Sequence, residues 1–559
     1  MDFKEIIVKL LKKETKLKEI PLEVPPDQSM GDFAFPCFVL SKTLKKSPVE
    51  IANELKEKIE LPKGIDKIEA SGPYLNFFVD RSSFLQDVIK LVLKEKDKYG
   101  SQKKGKDNIM VEFFHANPYK AVHIGHIRNI CLGAALSRIM EFSGKNIIRS
   151  NYQGDVGPHV IKCLWGLKNK KAPNKDKLNF YGKIYMDANK KIKDNKKYEN
   201  EIKEMSKKFY EGDEEIVKKW KETRQDCIDE FEEFYKEFGV KFDRLYFESE
   251  VEELGVKISN DLVKKKIAKV DQGAIIIDFK DEVLGIVVLV TQEGQALYSS
   301  KDLGLAMLKI KEYPKLTQSI NLVGKEQELH FMQVYKMYEL LGIHKKLPSK
   351  HLIYELVMLP EGKMSSREGN VVIFPDLRDK LFSKSLEEVK KRHKEWSKKE
   401  IEESASNIAW GALKFGMLTR ENNKILIFDW DKALEFEGET GPYVQYAHAR
   451  ICSILRKYGK KVNTKADLSF LGEEDELGII KLIGDFPKVV SESANSLKVH
   501  SLSHYLLALA RSFNEFYHTK PILKEDETFR DARLVLILAV KQVLENGLGL
   551  LGIKAPERM

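Results

Sequence analysis

The sequence predicts an α/β protein with a Rossmann-like parallel-sheet core, a small N-terminal α/β domain and a C-terminal α-helical bundle. Three observations predict it. Between about residues 105 and 380, strand-like and helix-like segments alternate, as they do when crossover units build a parallel sheet. Ahead of that stretch, a lysine-rich, glycine-punctuated linker, DKYGSQKKGKDN, sets off the first hundred residues. Behind it, from about Ser383, the strand signal fades and amphipathic helical periodicity runs to the last residues.

In the N-terminal domain, 1–100, Ile6, Ile7, Leu10 and Leu11 recur at helical spacing, as does the segment from Pro48 to Ile59, and GPYLNFFVD reads as a turn-bounded apolar strand. The core, 105–380, opens with the strand NIMVEFF, the loop HANPYKAV, a helix beginning near His126 and the strand NIIRSNY. From about 168 to 270 lysine- and glutamate-rich segments of helical period replace the alternation, which reads as a helical insertion on the surface. Strands resume with GAIIIDF and GIVVLVT, followed by a helix from Ser300, the strand SINLVG, a helix from Gln327 and the strand HLIYELV. In the C-terminal bundle, 383–559, Leu534, Ile537, Val540, Leu544, Leu548 and Leu551 keep three- and four-residue steps along one helix face.

The chain has 559 residues and a formal charge of +10, which favours a polyanionic partner, although a solvated lysine-rich surface explains charge alone equally well. Cys37, Cys131, Cys163, Cys227 and Cys452 are scattered and never spaced as C-x-x-C, so neither a disulfide framework nor a metal knuckle is indicated, and a reducing, cytoplasmic setting fits. No apolar run approaches the roughly 20 residues that cross a bilayer, and the N-terminus lacks a signal-peptide core.

Two motifs carry chemistry. His123-Ile124-Gly125-His126 stands where the loop after the first core strand enters its helix, and a helix N-terminus offers N–H groups and partial positive charge to phosphates. Gly125 lets a nucleotide come close to the backbone. Alone, H-x-x-H fits packing or capping histidines as well, and no third ligand follows at metal-binding spacing. The second motif is Lys363-Met364-Ser365-Ser366-Arg367-Glu368-Gly369, a loop whose cations and hydroxyls can neutralise a departing pyrophosphate.

Together these resemble the two signatures of class I aminoacyl-tRNA synthetases, and the wider chain is similar to arginyl-tRNA synthetases through VEFFHANPYKAVHIGHIRN, NYQGDVG, ALYSSKDLGLAM, KMSSREGNVV, FEGETGPYVQYAHAR and the ending RLVLILAVKQVLENGLGLLGIKAPERM. The resemblance implies ATP-dependent joining of L-arginine to tRNA(Arg) through an arginyl-adenylate, with Mg2+ as cofactor, in a cytoplasmic monomer, and activation that waits for tRNA. It implies ATP contacts at His123, Gly125, His126, Lys363, Met364 and Ser365. One departure is Ser366, where many relatives carry a second lysine; the resemblance implies that Lys120, three residues before the first signature histidine, supplies the missing cation.

A guanidinium is flat, permanently charged and best held by carboxylates. The resemblance places Glu112, Asn117, Tyr298, Asp302 and Gln327 on arginine; from the residues alone, Glu112 could be an edge charge and Asp302 a helix cap. For tRNA it implies Tyr74 and Asn76 at the D-loop, and Tyr517 and Met559 near the anticodon. An aromatic and an amide suit an unpaired base, although buried strand packing also explains Tyr74.

Overall fold

The computed structural model describes residues 3–27, 30–62, 64–168, 170–358, 360 and 373–559. At the N-terminus, α1 (Phe3–Thr15) turns Phe3, Ile7 and Leu11 inward. β1 (Phe33–Pro36), α2 (Phe38–Leu44), α3 (Pro48–Lys58), β2 (Ile65–Ser71) and β3 (Tyr74–Val79) follow, and the strands form an antiparallel sheet in the order β1-β3-β2. Helix α3 starts where it does because Ser47 caps it, its hydroxyl accepting from Glu50 N while the Glu50 carboxylate accepts from Ser47 N. Helix α4 (Arg81–Glu95) ends this region.

The central sheet contains β4 (Asn108–Glu112), β5 (Asn146–Gln153), β6 (Arg244–Phe247), β10 (Gln318–Gly324) and β11 (Ser349–Tyr354), all parallel, in the order β11-β10-β4-β5-β6. The chain therefore builds outward from β4 on one side, then returns and builds outward on the other. That reversal opens a crevice between the carboxyl ends of β4 and β10, where sheets of this kind bind ligands. Helix α5 (Ile124–Phe142) crosses from β4 to β5, and its buried face runs from Ile124 to Met140.

The expected insertion, 168–270, is helical through α7 (Lys177–Asp194), α8 (Lys196–Tyr210) and α9 (Glu214–Phe238), after α6 (Pro158–Leu167). It then returns to the main sheet as β6 and continues as α10 (Glu248–Lys264), so part of this stretch is core. The segments GAIIIDF and GIVVLVT are strands, β8 (Ala274–Asp278) and β9 (Ile286–Val290). They do not join the parallel sheet: with β7 (Lys269–Asp271) they form a separate antiparallel one. The reason is the short connection 279–285, closed by Phe279 N donating to Gly285 O at 3.1 Å; a parallel neighbour needs a crossover of about a dozen residues. Helices α11 (Tyr298–Glu312) and α12 (Glu328–Leu340) flank β10 in the chain.

After the two-residue strand β12 (Val357–Met358), which pairs in parallel with β13 (Leu426–Ile427), the chain is helical: α13 (Phe374–Arg392), α14 (Lys398–Leu418), α15 (Trp430–Ala433), α16 (Gly441–Tyr458), α17 (Glu474–Ser496), α18 (Val499–Thr519) and α19 (Glu527–Leu550). The six positions expected on one apolar face, Leu534 to Leu551, are all buried; five lie on α19 and Leu551 follows its last residue. The described residues form two compact units. One comprises 1–99, 451–486 and 509–544; the other comprises 100–450, 487–508 and 545–559. Inside the first, Tyr99 donates its hydroxyl to Ile483 O at 2.9 Å, and Arg533 is paired with Glu476 at 2.9 Å. Inside the second, the last residues are sewn to the helices: Lys414 donates to Gly552 O at 2.8 Å, Gln445 to Lys554 O at 2.9 Å and His448 to Pro556 O at 2.9 Å.

Arg128 of α5 sits wholly inside the second unit. Its guanidinium donates to the carbonyls of Glu355 (2.7 Å), Glu421 (3.1 Å) and Lys424 (3.3 Å), the segments that lead into β12 and β13. Burial pulls its pKa down to about 10. Arg128→Met would remove the hydrogen bonds that a buried, charged donor makes to these carbonyls, each worth roughly 1.5–3 kcal/mol. The variant should lose about 3 kcal/mol or more in denaturant unfolding; an unchanged midpoint would show that water satisfies the carbonyls.

Candidate active site

The first signature closes the N-terminus of α5. His123 lies just outside the helix with extended backbone (φ −121°, ψ 171°); its Nδ1 accepts from Gly125 N, while the Nδ1 of His126 accepts from His123 N, each at 3.2 Å. The rings stack at 3.8 Å between centroids. The two histidines therefore form a reciprocal cap rather than two teeth on one helix face. A Cβ on Gly125 would come within 3.1 Å of the His123 ring, so the glycine makes room for the stack. Burial of the ring nitrogens pulls His123 down to about pKa 4 and His126 well below the ordinary value, and Lys120 pushes both the same way. A neutral ring whose Nδ1 accepts carries its proton on Nε2, so each histidine has an N–H to offer an anion.

The loop between β4 and α5 is strained. Phe114 (φ 58°) and Tyr119 (φ 65°) both take left-handed conformations without being glycine, at a cost of about 1–3 kcal/mol each. Helix α9 offsets this. The Phe114 ring lies 4.9 Å from Phe234 and 5.4 Å from Tyr235, and the Tyr119 hydroxyl shares a hydrogen bond with Thr223 at 3.0 Å. The loop so held presents Asn117, whose Oδ1 accepts from Gly154 N at 2.8 Å. Above Gly154, where a side chain would start, Glu248 Oε1 lies 3.0 Å away and Asn117 Oδ1 3.1 Å away.

Glu248, the first residue of α10, went unremarked in the sequence because FESEVEE reads as one more charged helical segment. The short apolar strand RLYF before it was the available signal, since it places a carboxylate at a strand's carboxyl end. Glu248 Oε2 accepts from Lys301 Nζ at 2.8 Å. Burial raises its pKa, and Lys301 opposes that rise. Glu112, 1% exposed at the end of β4, is ion-paired with Lys309 at 2.6 Å and accepts from Asn321 Nδ2 at 2.6 Å. Burial would raise its pKa, but Lys309 and the hydrogen bonds outweigh burial and hold it low. Asp302 Oδ2 accepts from His330 Nε2 at 2.6 Å, and the other oxygen has no partner among the described residues. The buried hydroxyl of Tyr152 has no hydrogen bond among the described residues and feels Asp302, Glu248, Glu112 and Asp155.

The remaining expected residues are placed as follows. Tyr298 begins α11 and is 64% exposed; Gln327 is exposed at the turn that starts α12. Lys120 is half-buried in the β4–α5 loop. Lys363, Met364 and Ser365 lie outside the described residues. Tyr74 stands edge-on to Phe38 at 6.1 Å, and Asn76 is buried with its Oδ1 unpaired. Tyr517 lies on α18 in the first unit, whereas Met559 packs against the cluster of Val389, Ala405 and Ile408 in the second.

A doubly wound sheet with a histidine-capped helix at its switch point fits a class I aminoacyl-tRNA synthetase, and residues 88–430 match the family model "tRNA synthetases class I (R), catalytic domain". Residues 1–79 match "Arginyl tRNA synthetase N terminal domain" and 444–559 match "DALR anticodon binding domain". The chain is 37% identical to the arginine–tRNA ligase of Clostridioides difficile, covering all of this chain and 98% of that one, and 36% identical to that of Clostridium perfringens over the full length of both. The solved arginyl-tRNA synthetase of Thermus thermophilus superimposes with a TM-score of 0.78 at 27% identity, covering 100% of this chain and 99% of that one. The Plasmodium falciparum enzyme shares the fold at a TM-score of 0.76 and 19% identity, over 100% of this chain and 98% of that one. The chain belongs to the arginyl-tRNA synthetase family. Its reaction is the ATP-dependent joining of arginine to transfer RNA in translation.

Two outcomes follow from the buried charges. Glu112→Gln should cost about 3 kcal/mol or more in thermal unfolding, because Lys309 is left buried without its counter-ion; a variant of native stability would mean that Lys309 finds water instead. His123 and His159, both pulled from 6.5 to about 4 mainly by burial, bind protons in the unfolded chain before they do so in the folded one. Stability should therefore fall as pH drops from about 6.5 toward 4, by up to about 1.4 kcal/mol per pH unit for each. A flat series of unfolding midpoints across that window would mean that the folded histidines are charged.

Proposed function

We propose that arginine lies in the crevice between β4 and β10 with its guanidinium against Asp302 and Glu248, and that Asn117, Tyr298 and Gln327 line its path to the nucleotide. The observation that carries this is Asp302: one oxygen is held by His330 at 2.6 Å and the other has no described partner. Charge-assisted, bidentate hydrogen bonds to such a group favour a guanidinium over neutral side chains, and a polar pocket of this kind can discriminate by about 10⁴ without a separate editing step. Glu112 shapes the pocket from behind, through its pairing with Lys309 and Asn321.

In this reading the arginine carboxylate attacks the α-phosphate of ATP, pyrophosphate leaves, and a terminal ribose hydroxyl of tRNA(Arg) displaces AMP from the adenylate. No side-chain nucleophile is needed; catalysis is positioning and charge stabilisation. Neutral His123 and His126 donate from Nε2 to phosphate oxygens over Gly125, with Lys120 and Lys363 supplying cations and Met364 and Ser365 completing the ATP contacts. Lys120 stands in for the cation absent at Ser366. Mg2+ accompanies the triphosphate.

The same proposal divides the chain into 1–100, 105–380 and 383–559, with the outer parts on RNA: Tyr74 and Asn76 toward the D-loop, Tyr517 and Met559 toward the anticodon. It takes the enzyme as a cytosolic monomer whose arginine activation waits for tRNA. Five buried, unbridged cysteines suit a reducing compartment.

Asp302→Asn should raise the arginine KM about 100-fold or more while moving the ATP KM little. Equal impairment for both substrates would make Asp302 structural. Lys120→Ala should slow activation and leave tRNA affinity nearly unchanged; selective loss of tRNA binding would contradict its assignment to the phosphates.

A further inference from the structure

Three acidic residues that act on the Tyr152 hydroxyl each carry a base on one oxygen. Glu112 has Lys309 at 2.6 Å, Glu248 has Lys301 at 2.8 Å, and Asp302 has His330 at 2.6 Å. The three pairs differ in one respect. An ammonium keeps its proton far above neutral pH, so a lysine cancels its carboxylate permanently, whereas an imidazole gives its proton up near neutrality. Of the three, Asp302 is thus the carboxylate whose counter-charge can be removed.

From this arrangement we infer that His330 is a positioning residue that sets the charge of the arginine pocket: neutral, it orients Asp302 through Nε2–H; protonated, it competes with the guanidinium for the same carboxylate. The inference rests on the reading that Asp302 meets the substrate guanidinium. Binding of arginine should then expel a proton from His330, and arginine affinity should rise with pH through the His330 transition.

The surroundings of His330 are simple. Its own helix α12 contributes the Phe331 ring at 5.5 Å, and α11 contributes Asp302, the one charged group acting on it among the described residues. Burial lowers its pKa, but the hydrogen bond and charge of Asp302 more than reverse that, so the transition lies above the ordinary histidine value. The other histidine near Asp302 is His115. Burial outweighs the pull of Glu112 and Asp302 and holds it low, so it is already neutral where His330 titrates. Asp302 also acts on Glu248, which carries Lys301, a base that lies 3.7 Å from Glu252 as well.

The test is the arginine KM for tRNA charging at saturating ATP and tRNA, between about pH 6 and 8. In the native chain it should fall with rising pH, by up to about tenfold per unit below the transition, while the ATP KM stays flat. His330→Gln, which keeps a donor for Asp302 but cannot charge, should show a low arginine KM with no pH dependence. His330→Lys, which makes this pair like the other two, should show an arginine KM raised about tenfold or more at every pH. A His330→Gln variant that keeps the native slope overturns the inference, as does a His330→Lys variant that folds and keeps the native KM. Should His330→Lys not fold, the slope of His330→Gln decides alone. Asp302→Asn separates the two levels: if it raises the arginine KM while His330→Gln keeps the slope, only the role of His330 falls, and if it leaves the arginine KM unchanged, the reading of the pocket falls with it.

Discussion

Carboxylates buried at the carboxyl edge of a parallel sheet are the constraint around which this molecule is arranged. An unpaired ion out of water costs several kcal/mol, and Coulombic attraction repays this only where a partner meets it at close range. Glu112, Glu248 and Asp302 are gathered near one another, all acting on the Tyr152 hydroxyl. Lys309, Lys301 and His330 make that concentration tolerable. The supporting bases come from two helices, α11 and α12. Asp302 and Lys309 stand seven residues apart on α11, a spacing that returns to the same side of a helix. Hence α11 is held in place by the charges it serves: it reaches the end of β4 through Lys309 and the start of α10 through Lys301.

The same edge of the sheet is where the backbone departs from relaxed geometry. Phe114 and Tyr119 are forced into left-handed conformations so that a short loop can carry Asn117 and Lys120 past Gly154 before α5 begins. The energy is offset by α9, whose Phe234, Tyr235 and Thr223 grip the two strained residues. A helix from the lysine-rich stretch is thereby part of the catalytic scaffold. Asp155 adds a second tie, accepting from Arg224 of α9 at 2.6 Å and from Ser249 of α10 at 2.7 and 2.9 Å. Helices α9 and α10 and the strand ends of the site are one packed body, so the geometry of the β4–α5 loop depends on residues a hundred positions away.

Much of the fold was legible because apolar periodicity is a local property. NIMVEFF, NIIRSNY, SINLVG and HLIYELV announce themselves as strands, and Leu534 to Leu551 as a helix face, since each needs only its own neighbours to be read. RLYF was not legible, being four residues between charged helices, although it is one of the two edge strands of the main sheet. GAIIIDF and GIVVLVT were legible as strands but not as partners: which sheet a strand joins depends on the length of its connection, and here a tight turn imposed a hairpin. In the site, the H-x-x-H spacing was visible, whereas the reciprocal cap and stack were not, because they depend on the backbone of His123 leaving the helix.

By itself the sequence determined which chemical groups the enzyme has and in what order the chain delivers them: an acid on the first core strand, two histidines around a glycine at a helix start, an acid at a later helix start, a basic loop after the last core strand. Only the tertiary structure decided which of those acids are already neutralised. Glu248 and Lys301 are 53 residues apart, Asp302 and His330 are 28 apart, and Glu112 meets Asn321 across 209. Charge compensation acts through space and falls off within a few ångströms, so it is set by which strands and helices lie side by side, and spacing along the chain carries no record of it.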